Sequence, residues 1–153
     1  MRRATEIRPP SAWNAVHAID RVTLASDDRH RRRLVLTGDA GTRFLLDLPR
    51  AAMLRDGDGL VLDDGAIVRV VGKPEPLVEI AAGNAAAALA IAWHLGNRHV
   101  DVQVVDDKLR IRRDHVLEAM LAGLGAALTP IEAPFDPEPG AYAHSHDDGD
   151  GHV

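Results

Sequence analysis

The apolar positions of this chain change their period about half-way along it. In the first half they fall in short runs: Arg33-Leu34-Val35-Leu36-Thr37, Thr42-Arg43-Phe44-Leu45-Leu46-Asp47, Leu60-Val61-Leu62 and Ile67-Val68-Arg69-Val70-Val71. Runs of this length, alternating or uniformly apolar, predict β-strands. Between them stand Gly38-Asp39-Ala40-Gly41, Asp56-Gly57-Asp58-Gly59 and Asp63-Asp64-Gly65, turn chemistry in which glycine supplies a positive φ. The third is spaced as a tight hairpin. The expectation is a small antiparallel β domain, sheet or barrel, over residues 1–73. Lys73-Pro74-Glu75-Pro76 then breaks the pattern. Proline cannot donate to a central ladder, so residues 74–76 are expected to form an interdomain linker.

The second half alternates strand and helix signals. Leu77-Val78-Glu79-Ile80 reads as a strand. Asn84 is a good N-cap for an alanine-rich helix from Ala85 to Leu95, which Gly96 should terminate. Val102-Gln103-Val104-Val105 and Leu109-Arg110-Ile111-Arg112 flank a turn at Asp106-Asp107, and Asp114 caps a second helix. Leu117, Met120, Leu121 and Leu124 recur at i, i+3, i+4 and i+7, one apolar helical face. Gly125 should end that helix, and Leu128 to Phe135 supplies a last extended run. Strand-helix-strand-strand-helix-strand is the split βαβ order of a ferredoxin-like domain, here over 77–136. The fold class is therefore α+β, with two small domains. Residues 137–153 turn to Pro, Gly, Asp and His and are expected to be a flexible tail with no core of their own.

Composition narrows the function. The chain has 153 residues, 46% of them hydrophobic, and its five aromatic residues leave little surface for stacking bases or sugars. Net charge is −5 and unevenly spread: residues 1–75 carry 13 basic and 11 acidic groups, residues 76–153 only 5 basic against 12 acidic. A nucleic-acid partner is not expected, because phosphate neutralisation needs a large basic surplus. The absence of Cys removes disulfides, thiolate catalysis and Cys-ligated zinc, and fits a reducing compartment. No apolar run approaches the roughly 20 residues that span a bilayer, and no apolar segment follows Met1-Arg2-Arg3, so the cytoplasm is expected.

Enzyme signatures are missing. There is no phosphate-binding loop and no nucleophile elbow, and Ser occurs only at positions 11, 26 and 145. Asp63-Asp64 and Asp106-Asp107 sit in expected turns, where solvated Asp is ordinary. Histidine is distributed differently. Of eight, three crowd the last ten residues, His144-Ser145-His146 and His152, interleaved with Asp147, Asp148 and Asp150. Alternating imidazoles on an extended chain can wrap one borderline metal ion, and acidic neighbours can orient them. A solvated tail is the alternative. His99 follows Gly96-Asn97-Arg98 just past the first helix; it can ligate from solvent or simply satisfy the last helical carbonyls. His94, beside Trp93, reads as a packed residue, and His115 as an exposed first helical residue. His17 stands alone, and His30 lies in Arg29-His30-Arg31-Arg32-Arg33, which reads as a solvated strand face.

Trp93-His94-Leu95-Gly96-Asn97-Arg98-His99-Val100 resembles the hallmark segment of the urease accessory protein UreE family of nickel metallochaperones. Asp114-His115-Val116-Leu117-Glu118-Ala119-Met120-Leu121, Leu48-Pro49-Arg50 with Leu54-Arg55-Asp56-Gly57-Asp58, and Gly140-Ala141-Tyr142-Ala143-His144 are similar to further family segments, so the likeness covers nearly the whole chain. The resemblance implies a peptide-binding-like N-terminal domain and a ferredoxin-like metal domain. It also implies a homodimer whose two His99 side chains share one Ni²⁺ across the two-fold axis. The implied partners are the urease apoprotein complex and its GTPase accessory protein. On this reading the chain is no enzyme; its metal residues are His99, His144, His146 and His152, and Ni²⁺ is cargo for which Zn²⁺ and Cu²⁺ compete. Neutral imidazole ligates, so acidification below the ordinary imidazole value of about 6.5 should weaken binding.

The chain departs from the family pattern in three places. Arg113 stands where some members carry a second His two residues before His115, and Asp101 stands where Pro usually follows Val100. Asp101 either alters the loop or adds a weak oxygen ligand. Three tail histidines replace a long polyhistidine run, which argues against nickel storage. The alternative from a different class is a peptide- or protein-interaction module with an incidental His tail, a strand-adding peptide being plausible on an exposed sheet edge.

Overall fold

The computed structural model describes residues 1–140. His144, His146 and His152 therefore lie outside the described residues. Two compact units are present, Met1–Lys73 and Pro74–Pro139.

The first unit holds β1 (Arg2–Arg8), β2 (Ala18–Leu24), β3 (His30–Thr37), β4 (Arg43–Met53), β5 (Gly59–Leu62) and β6 (Ile67–Gly72) in one sheet of order β2-β6-β5-β1-β4-β3. The tight-turn hairpins β3–β4 and β5–β6 are antiparallel, as is β1–β5, whereas β1–β4 and β2–β6 run parallel. Parallel pairing needs a long connection and not a hairpin, and β1 and β2 both reach their parallel partners from far along the chain. Neither of these strands stood out as an apolar run. Register shifts between Ala4 and Glu6 and between Ala18 and Asp20 break the period-two signal that would have marked them. The core is aliphatic around one ring: Ala4, Phe44, Leu46, Leu54, Leu60, Val68 and Val70 have no exposed surface.

Two polar groups are built into this unit. The Arg29-to-Arg33 run is not uniformly solvated: Arg29 is completely buried. Its Nη1 donates to the Leu54 carbonyl at 3.0 Å, while the Leu54 N–H donates to the Arg29 carbonyl at 2.8 Å. Asp20 accepts from the N–H groups of Arg21, Ala40 and Thr42 and so braces the β3–β4 turn. Burial alone would raise its carboxyl pKa, but donors from Ala40, Thr42 and Arg21 hold it down at about 2. Gly38 is required there, since a Cβ would collide with the Asp20 carboxylate.

The second unit is β7 (Glu75–Ala81), α1 (Ala85–Asn97), β8 (Gln103–Val105), β9 (Lys108–Arg112), α2 (His115–Gly123) and β10 (Ala127–Ala133). Its sheet order is β10-β7-β9-β8, every ladder antiparallel, the ferredoxin-like arrangement. Glu75 and Pro76, expected in the linker, instead open the central strand β7. Proline is tolerated at a strand's start, and Pro76 precedes the Leu77–Ile80 stretch that pairs with β9. Val78, Ile80, Ile91, Leu95, Leu109, Ile111 and Leu121 form the core between sheet and helices. Leu124, expected on the buried face of α2, is 47% exposed as its C-cap.

Pro137 and Glu138 were expected in the tail. Pro137–Glu138 follows a segment held to β8, with the Glu138 N–H donating to the Val102 carbonyl at 2.7 Å. No helix among the described residues is long and apolar enough to cross a membrane.

Candidate metal centre

Helix α1 forms because Asn84 accepts from the Ala87 N–H and a run of alanines follows. Its end determines the position of His99. Gly96, the expected terminator, lies inside the helix, which runs on to Asn97. Arg98 is the C-cap, and His99 takes the left-handed conformation with φ +58°. The His99 N–H donates to the Gly96 carbonyl at 3.0 Å and the Val100 N–H to the Leu95 carbonyl at 3.1 Å. This is a Schellman end, whose left-handed position usually belongs to glycine. The left-handed position falls three residues past Gly96, at His99.

His99 is exposed. Its backbone satisfies the helix end, and among the described residues nothing hydrogen-bonds its imidazole. The main chain of His99 caps the helix, and its ring is exposed. Along α1, Leu89 and Trp93 are 72% and 64% exposed one helical turn apart, an apolar ridge leading toward this end. On α2, Val116 is 62% exposed.

His94 is half-buried against Trp93, ring edge to face at 5.2 Å between centroids. This agrees with a packing residue. His115 is the exposed first residue of α2, after Asp114, which accepts from the Val116 and Leu117 N–H groups. Arg113 donates through Nε and Nη2 to the two Glu118 oxygens at 3.0 Å, and Glu118 also accepts from the Asp114 N–H at 2.8 Å. The hydrogen bonds from Arg113, helped by the Asp114 N–H and opposed by burial, hold the Glu118 carboxyl below its ordinary value. Where a second imidazole would stand, this chain has built a helix-start clamp. Asp101 is likewise engaged: its Oδ2 accepts from Arg112 Nη1 at 3.0 Å. It tethers the loop after His99 to β9 and does not stand free as an oxygen ligand. Among the described residues no three His, Cys, Asp or Glu side chains converge to hold a metal ion.

A strand-rich unit followed along the chain by a ferredoxin-like unit defines a two-domain α+β protein. The family models for the UreE urease accessory protein match both units, the N-terminal domain over residues 3–72 and the C-terminal domain over residues 75–153. Urease accessory proteins UreE of Bradyrhizobium sp. strain ORS 278 and strain BTAi1 are each 55% identical to this chain, over 95% and 97% of it and 70% and 72% of their own length. The one from Beijerinckia indica is 50% identical over 99% of this chain and 87% of its own. The chain belongs to the UreE urease accessory protein family, and is an accessory protein and not an enzyme.

Proposed function

We propose that this protein is a nickel metallochaperone that delivers Ni²⁺ during assembly of the urease active site, acting as a cytoplasmic homodimer. The observation that carries the proposal is the exposed, unpartnered imidazole of His99 at a left-handed position where glycine would be the less strained choice. Strain of this kind costs on the order of 1 kcal/mol and persists where the residue has a task. A two-fold axis converts one His99 into two facing ligands, since an isologous contact repeats each residue against itself. The uncovered ridge of Leu89 and Trp93 supplies apolar surface for that contact. Two imidazoles leave the shell of Ni²⁺ incomplete, and His144, His146 or His152 complete it, withdrawing when a recipient competes. Cu²⁺ binds such donors more tightly and Zn²⁺ competes, so supply and recipient set selectivity. The recipient is the urease apoprotein complex with its GTPase accessory protein.

Isothermal titration of Ni²⁺ into the full chain and into His99→Ala tests this. The variant should stay folded and lose the site shared between protomers. Unchanged stoichiometry and affinity in His99→Ala would reject the assignment.

A further inference from the structure

The first unit's sheet carries a cation with no counter-ion among the described residues. Arg21 on β2 and Arg69 on β6 are register partners, and so are Val22 and Val70, which lie in the core. Strand alternation therefore puts both arginines on the face away from that core. Like charges directly opposite one another on adjacent strands are destabilising, so each calls for an anion. Arg21 has one: its Nε stands 3.2 Å from Asp39 Oδ2, the oxygen that also accepts from Thr23 Oγ1 at 2.9 Å. Arg69 has none. Among the described residues it makes no hydrogen bond or ion pair, and its Nε is buried with no acceptor. Its other register partner is Gly59 on β5, over which the Trp13 indole lies, so that strand offers no carboxylate either.

Arg69 lines an open cavity of about 430 Å³. Ala15, Ala18, Ile19 and Ala40 form its apolar part, and Arg21, Asp20 and Asp39 complete its charged part. Both carboxylates are already engaged: Asp39 by Arg21 and Thr23, Asp20 by the N–H groups of Arg21, Ala40 and Thr42. Of the four charged groups only the Arg69 guanidinium is unmatched. A guanidinium is a planar fork that receives a two-oxygen anion through parallel hydrogen bonds. One unmatched positive charge beside two carboxylates favours a monoanion over a dianion such as phosphate. The alanines and Ile19, which is 46% exposed, favour an anion that brings aliphatic surface to cover them.

We propose that this cavity binds a monocarboxylate with a short aliphatic body, its carboxylate on the Arg69 guanidinium and its body against Ala15, Ala18 and Ile19. The site lies wholly within the first unit and is independent of His99 and of any metal. A small free acid and the C-terminal end of a polypeptide present the same group, and the probes below separate them.

Isovalerate, its neutral amide isovaleramide, and N-acetyl-Ala-Val with a free C-terminus are titrated into ¹⁵N-labelled full-length protein. The Arg69 Nε–H and the Ala40 amide are followed by NMR. Isovalerate should shift them saturably, and isovaleramide should not. Arg69→Gln, which removes charge and fork, should weaken isovalerate binding about tenfold or more. Arg69→Lys, which keeps only the charge, should weaken it about threefold. Tighter binding of the peptide than of isovalerate assigns the site to a chain end; equal or weaker binding assigns it to a free acid. Arg69→Met separates binding from folding. An unpaired, partly buried charge adds no ion pair to the fold, so this variant should keep or raise the denaturant midpoint while losing isovalerate. A clearly lowered midpoint would make Arg69 a structural residue and overturn the proposal. So would the lack of any saturable shift with either carboxylate, an equal shift with the amide, or natural affinity in Arg69→Gln.

Discussion

The two helices of the ferredoxin-like unit end in the same motif with different residues at its critical point. After α2 the Gly125 N–H reaches the Ala122 carbonyl at 3.0 Å and the Ala126 N–H reaches Leu121 at 3.1 Å. After α1 the same two bonds are made by His99 and Val100. Gly125 adopts φ +88° and His99 φ +58°. At α2 the left-handed position is filled by the residue that pays least for it. At α1 it is filled by an exposed histidine whose imidazole has no hydrogen-bond partner among the described residues. Folding requirements explain Gly125; for His99 they explain the backbone bonds but not the choice of side chain. Histidine tolerates this conformation better than most residues but still less well than glycine.

The difference can be sharpened from both sides. Gly125→His should destabilise the protein by roughly 1–2 kcal/mol in denaturant unfolding, since a left-handed non-glycine residue carries a conformational cost. A Cβ there meets nothing within 4 Å, so steric clash adds little. His99→Gly should move stability the other way by somewhat less, about 0.5–1 kcal/mol. If both exchanges left the midpoint unmoved, the two termini would not differ as described.

The helix starts give a smaller contrast. α1 is capped by neutral Asn84, whereas α2 begins with Asp114 and the Arg113–Glu118 clamp. The folded-state carboxyl of Glu118 titrates below its ordinary value. Its contribution is therefore fully present above the unfolded value near 4.5 and is lost as pH falls through the lower folded value. Glu118→Ala should cost about 0.5 kcal/mol at neutral pH, Arg113 being largely solvated, and next to nothing once the carboxyl is protonated. An equal cost at both ends of the pH range would show that packing, not charge, holds the start of α2.

Elements marked by strong local chemistry were legible in the sequence. The Asn84 and Asp114 caps, the Asp106-Asp107 hairpin turn and the strand-helix alternation all stand where their residue types place them. The rest depended on contacts distant in sequence. β1 and β2 carry bulges that scramble alternation, and buried Arg29 looks like its solvated neighbours until Leu54 is brought to it. Pro137 and Glu138 have tail-like composition, yet Glu138 is bonded to Val102 and Val104, distant in sequence. At the candidate site, His99 could be singled out as a residue but not as a strained C-terminal position. Gly96 offered a simpler helix stop, and nothing local shows that the turn passes it by.

Nickel titration of His99→Gly is the most direct measurement, because this substitution keeps, or improves, the helix end while removing only the ring. The expected result is a protein at least as stable as the natural one that has lost the nickel site shared between protomers. Retention of that site with its natural stoichiometry and affinity would contradict the assignment of His99 as its ligand.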